Sequence, residues 1–465
     1  MVGSRDARVP AELWDEAFRF LPRKDLLSLH KVSRPFHRIS RPLLFRNLIF
    51  HPYAVDYDAN ELPRTVMLPG EAQLKRALRR LQFWASDSVA PFVQNCTLSP
   101  WNPSSDDAGE YTSCHDGQDV LAVFFKHLER FVNLKTLAFF YVEFYKTQFL
   151  AVLALPNLRS LQLEGCSFPE SFPFSATSKL ASLSLSYLLD PKGYHTGTFG
   201  LDMLLAALDT HNLNNLTVRR DAIANALFET LETGAICFPN LHTLRVAVSA
   251  RTELKAFLRF PATRTLHFEQ YGQGTFPRAG STDAVLFPLL QSYRGPPELL
   301  AFLHPASTPA QLELQVASTP LLLNISQSFV KAARVTSLKL TIHCLQYFVL
   351  RPLLAQFTGL VDFVMTQRKY SKLDDNDFCC TSQNLFEELA AGSPFAPGIQ
   401  SISIEWRLRD HCEYDKTVAA IQHAQASLTS AHPDLDYLAL LASQCRYSWR
   451  REAGGHMVGG RMKAY

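Results

Sequence analysis

The chain has 465 residues, of which 47 % are hydrophobic and 11 % aromatic, which fits a globular protein and excludes a disordered one. A formal net charge of +3 is too close to balance to point to nucleic acid or an anionic membrane as a partner. The opening MVGSRDARVP lacks a leader's apolar run, and no uninterrupted apolar stretch reaches the ~18 residues of a membrane span. Nine cysteines, scattered and without a CxxC pair, argue against a disulfide framework and for a reducing cytoplasmic or nuclear setting.

The first elements lie between Val9 and Leu48. Pro10 and Pro22 each stand where a helix opens, and Ser33 is placed to cap a third helix, interrupted at Pro42. Leu13, Ala17 and Leu21 recur at helical spacing, as do Leu26 and Leu29 with Val32 following and Phe36 in the third segment. So small a unit is marginal alone, which leaves these side chains in need of cover from the rest of the chain or from a second protein.

The order Val9-Pro10-Ala11-Glu12-Leu13, Ala17, Leu21-Pro22, Leu26-Leu27-Ser28-Leu29 and Val32-Ser33-Arg34 with Phe36 resembles an F-box. Val9 stands for the usual Leu and Ala17 for a larger aliphatic residue, and the tail RISRPLLFRNLIF is similar to F-boxes of fungal proteins. The resemblance implies a three-helix module that binds a Skp-type adaptor and, through it, cullin and RING subunits. The adaptor face it implies is Pro10, Leu13, Leu21, Pro22, Leu26, Leu29, Val32 and Phe36.

Beyond it, residues 51–70 are polar and proline-punctuated and read as a linker, followed by a helix at about Glu71 to Ser86. Lys75, Arg76, Arg79 and Arg80 form that helix's wet face. Then a pattern recurs: apolar, two residues, apolar, one residue, apolar. It appears as Val93/Cys96/Leu98, Leu134/Leu137/Phe139, Leu158/Leu161/Leu163, Leu180/Leu183/Leu185, Leu213/Leu216/Val218, Leu241/Leu244/Val246 and Thr263/Leu266/Phe268. Later copies are Val335/Leu338/Leu340, Leu360/Phe363/Met365, Ile399/Ile402/Ile404 and Leu435/Leu438/Leu440, with another near Leu312 to Val316.

Neighbouring copies lie mostly about 22–33 residues apart, the leucine-rich-repeat range or slightly beyond it. Helices are predicted between them at 120–131, 201–210, 222–232 and 417–428. Each unit leaves an apolar face that only stacking can bury. The expected fold is therefore α/β: a three-helix F-box followed by a curved leucine-rich-repeat solenoid, with parallel strands on the concave face and helices outside. The expected layout is a tail over 1–8, the F-box over 9–50, a linker over 51–70, repeats over 71–445 with loop insertions near 100–119 and 367–378, and a tail over 446–465.

No phosphate loop, dinucleotide fingerprint, HExxH or GxSxG elbow is present, so no enzyme activity and no cofactor are expected. Cys114-His115-Asp116 with its acidic neighbours, and Cys379-Cys380 beside Asp374, Asp375 and Asp377, have spacings that fit neither a zinc motif nor a calcium loop. The strand residues between the leucines are the candidates for a substrate face: Gln162, Glu164, Arg219, Arg245, His267, Glu269 and Lys339. Their mixed signs and neighbouring hydroxyls favour a protein or peptide over a polyanion. The resemblance and the repeats together imply the substrate-recognition subunit of a Skp–cullin–F-box ubiquitin ligase. The alternative is a repeat scaffold that binds the adaptor without ubiquitin transfer.

Overall fold

The computed structural model describes residues 10–52, 54–57, 63–69, 71–99, 111–112, 118–168, 178–186, 188–189, 201–233, 236–248, 254–271, 286–303, 309–316, 334–342, 350–367, 382–406, 414–442, 445–451, 457–458 and 463–464. Two compact units result, Met1–Thr230 and Leu231–Tyr465.

The first unit opens with three helices, α1 (Ala11–Arg19), α2 (Arg23–Leu29) and α3 (Arg34–Leu44). Pro10 and Pro22 are the N-caps of α1 and α2, one residue before the first helical position. Ser33 caps α3 by accepting a hydrogen bond from the Phe36 amide at 3.3 Å. Contrary to the expected interruption, α3 runs past Pro42 to Leu44. In the last turn a proline removes a single backbone bond, which the packing of Leu44 and Phe45 offsets.

A parallel ladder then forms from β1 (Asn47–Phe50), β4 (Asn95–Leu98), β6 (Thr136–Phe140), β7 (Ser160–Glu164), β9 (Ser182–Leu185) and β11 (Asn215–Val218), paired in that order. The first rung was missed in the sequence because it sits in the tail of the helical module. Phe45-x-x-Leu48-x-Phe50 repeats the apolar pattern, and Asn47 pairs with Asn95 both through the backbone register and by a 2.7 Å side-chain hydrogen bond.

The expected linker over 51–70 is also structured. Its strands β2 (Ala54–Tyr57) and β3 (Pro63–Pro69) pair antiparallel, and β3 takes β5 (Tyr111–Thr112) from the expected insertion. Those segments satisfy their backbone groups by pairing with each other. The predicted helices at 71–86, 120–131, 201–210 and 222–232 form as Glu71–Trp84, Gln118–Leu128, Leu201–Ala206 and Asp221–Thr233.

In the second unit, β12 (Thr243–Val248), β13 (Thr265–Tyr271), β14 (Ser292–Gly295), β15 (Gln311–Val316), β16 (Ser337–Ile342), β17 (Asp362–Gln367), β18 (Ser401–Trp406) and β19 (Tyr437–Leu441) pair in parallel order. β14 was not read in the sequence, because its copy runs Leu290-x-x-Tyr293-x-Gly295. Glycine takes the third apolar position there, where a Cβ would come within 2.6 Å of the Phe268 ring. The expected tail over 446–465 instead supplies β20 (Cys445–Arg451), antiparallel to β19, with Met457–Val458 and Lys463–Ala464 paired onto it. Tyr447 and Trp449 are buried, and the end of the ladder is covered rather than left as an open edge. The insertion expected near 367–378 falls, beyond Gln367, outside the described residues.

Every apolar residue of the recurring pattern from Val93 onward is buried. The loops before most of the strands repeat one hydrogen-bond arrangement: a carbonyl accepts from two successive amides of the next rung. Gln94 takes Lys135 at 2.7 Å and Thr136 at 3.0 Å, and Val361 takes Gln400 at 2.8 Å and Ser401 at 3.0 Å. Asn133 and Asn157 each donate 2.8 Å side-chain bonds back to the preceding loop, at Pro91 and Val132. In the first unit, Phe124, Phe125, Phe139, Phe144, Phe149 and Phe168 fill the space behind the strands with ring centroids 4.8–6.3 Å apart.

Candidate functional site

Two surfaces carry chemistry, one on the three helices and one on the second ladder. The helical core is Phe18, Leu26 and Leu44, with Trp14, Leu21, Leu29, Phe36, Ile39, Leu43 and Phe45 packed against it. The rings of Trp14, Phe18 and Phe36 meet at 5.1–6.0 Å. The inward face of α1 is therefore Trp14 and Phe18, and Leu13, Ala17 and Phe20 point away from it.

This sorts the residues named for the adaptor face. Leu26 is only 7 % exposed and belongs to the module's own core. Leu21, Leu29 and Phe36 are part-buried against that core, and Pro10 and Pro22 are exposed. Leu13 and Val32 stand out at 61 % and 65 % exposure. Phe20 at 80 % and Leu27 at 45 % were missed in the sequence. Phe20 lies between the repeated positions of the motif, and only the rotation of α1 turns it out. These four exposed side chains are large apolar groups left in water by a module that has already formed a core.

The module continues directly into the ladder. Phe45 packs on Phe83 and Trp84 at 5.8 and 5.5 Å, and the Arg41 guanidinium lies over the Phe92 ring at 5.4 Å while donating to the Ser88 carbonyl. On the α2–α3 side the His30 and His37 rings are 4.0 Å apart, and His30 shares a 3.0 Å hydrogen bond with Ser40. Burial, then the charges of His37, Arg41 and Lys31, lower the His30 pKa.

The second surface is the outward row at the middle of the strands in the second unit. Register pairing aligns Arg245, His267, Arg294, Glu313 and Lys339 on five successive strands. Glu313 Oε1 is 3.3 Å from Arg294 Nε and 3.1 Å from Lys339 Nζ. The row before it aligns Thr265, Ser292, Gln311 and Ser337, and both rows line a concavity of about 260 Å³. Burial, then Arg294 and Arg245, push His267 down to about 4, so its imidazole is neutral at physiological pH.

Of the residues named for the substrate face, Arg245, His267 and Lys339 thus share one site. Arg294 and Glu313 complete it. They were missed because Gly295 disguised one copy and the other was located only as a stretch. Gln162, Glu164 and Arg219 lie in the first unit, with Arg219 exposed just past β11. The side chain of Glu269 is outside the described residues, as are Cys114, His115, Asp116, Cys379 and Cys380. Among the described residues no group of three or more His, Cys, Asp or Glu could hold a metal ion. No helix among them is long and apolar enough to cross a membrane.

Comparison with known families matches residues 7–48 to the F-box domain. The chain carries an F-box. That domain implies binding to a Skp-type adaptor and a role with SCF-type ubiquitin ligases, whose F-box subunits are generally receptors rather than catalysts. No curated protein matches the chain. Among solved structures, a TLR13–ssRNA13 complex is similar at 14 % identity and a TM-score of 0.28. The match covers 69 % of this chain and 41 % of that one. The chain thus spans about two fifths of that protein's length, and a likeness of this size carries no inference about ligand.

Proposed function

We propose that the protein is the substrate-recognition subunit of a Skp–cullin–F-box ubiquitin ligase. The F-box takes the adaptor, the repeat strands hold a target protein, and cullin and RING subunits join through the adaptor in the cytoplasm or nucleus. The observation that carries this reading is the set of exposed apolar side chains on the three-helix module: Leu13, Phe20, Leu27 and Val32. The proposed adaptor face also takes in the exposed Pro10 and Pro22 and the part-buried Leu21, Leu29 and Phe36, with Leu26 in the core of the module. Burying a large apolar side chain contributes roughly 1.5–3 kcal/mol, so four such groups form a sufficient anchor for a partner. The receptor needs no reacting group of its own. It raises the local concentration of a target lysine beside a ubiquitin-charged enzyme.

The test is Leu13→Asp combined with Val32→Asp in the full-length chain. Both positions are exposed, so the melting transition is expected to stay within about 1 kcal/mol of wild type. Capture of the adaptor is expected to vanish. A variant that still co-purifies with the adaptor would sink the assignment. Cullin in the wild-type complex separates a ligase subunit from a scaffold that only binds the adaptor.

A further inference from the structure

We infer that the concavity over β12–β16 is a binding subsite for a phosphate monoester, seated over His267 between the guanidinium groups of Arg245 and Arg294. The inference names the ligand chemistry of one part of the proposed target face, and it rests on that reading only for the identity of the carrier.

The register sets the geometry. Arg245 and Arg294 are the direct neighbours of His267 on either side, so two guanidiniums flank one imidazole on adjacent parallel strands, each step ~4.8 Å. Among the described residues no carboxylate pairs with Arg245, whereas Arg294 Nε faces Glu313, which also takes Lys339. Three cations against one carboxylate and a neutral histidine leave a charge of 3 − 1 = +2 along the row.

That sum matches a dianion better than a single carboxylate, and guanidinium forks suit tetrahedral oxyanions. Hydroxyls from Thr265 and Ser292, two residues earlier on the strands, line the same concavity and supply further donors. At about 260 Å³ the space is below the roughly 300–1,000 Å³ of cofactor- and drug-sized pockets, so it suits a compact headgroup or side chain. The fold does not require this charge. The aligned row of the first unit, Ile49, Thr97, Ala138, Gln162, Ser184 and Thr217, builds the same ladder without any.

The test is residue-resolved arginine modification of the full-length protein by phenylglyoxal, with inorganic phosphate, acetyl-phosphoserine-amide or chloride present at matched ionic strength. Both phosphates are expected to slow modification of Arg245 and Arg294 and to leave exposed Arg219 unaffected. In the same solutions the His267 imidazole should titrate at a higher pH, because a bound dianion favours its protonated form. Arg245→Met is expected to weaken phosphate binding about tenfold, with Arg245→Lys in between. Adaptor capture by Arg245→Met should be unchanged, which separates failure here from failure of the receptor reading. Tighter binding of the phosphoserine compound than of inorganic phosphate would place the group on a target protein, and equal binding would point to a free anion. Protection by chloride to the same extent, equal protection of Arg219, or no protection at all overturns the inference.

Discussion

The two ladders use one strand design and differ on the side that faces away from the core. In the first unit the middle outward row is uncharged from Ile49 to Thr217. In the second it begins Arg245, His267, Arg294, Glu313, Lys339 before turning to Val364, Ser403 and Ala439. The inward rows are alike, leucine or its equivalents buried in both. The ladder therefore depends on what points in and tolerates what points out. Charge gathered in one stretch of the outward row needs a reason other than folding.

The comparison breaks most severely if an inward residue proves dispensable. Leu163→Ala in the first unit and Leu340→Ala in the second, both fully buried, should each cost about 2–5 kcal/mol in denaturant unfolding. A markedly smaller loss in either unit would mean that the two ladders are not held by the same packing.

A smaller effect is expected at the turn after β7. Gly165 has φ +65°, and an added Cβ would overlap the ring of Tyr141, itself at φ 59°. Gly165→Ala should cost about 1–3 kcal/mol, while Gly398→Ala, with open space around it, should be close to neutral.

The smallest effect sharpens the contrast between the outward rows. His267 is held near 4 in the folded chain against 6.5 when unperturbed, so between these values the unfolded chain binds the extra proton. Stability should be level above pH 6.5 and fall as the pH drops towards 4, and His267→Gln should remove that part of the slope. An identical slope in wild type and variant would mean that the His267 imidazole titrates alike in the folded and unfolded chains. The corresponding residue of the first unit's register cannot titrate in this range, since that row holds no ionisable side chain.

The sequence by itself determined the inside and outside of the repeats. Side chains alternate along a strand as a property of the backbone, so a leucine pattern of period two fixes which residues are buried wherever the strand is placed. It determined the F-box in the same local way, through prolines, a serine cap and helical spacing that lie close together in the chain. Which side chains meet across strands was decided only by stacking. The loops between rungs differ in length, so no spacing in the chain aligns Arg245 with Arg294, and a glycine accommodated by Phe268 concealed the strand that carries the second arginine. The same holds for the helices. Spacing placed Leu13 and Leu26 on apolar faces, but only the packing of Trp14, Phe18 and Phe36 against one another put Leu26 inside and left Leu13, Phe20 and Val32 exposed.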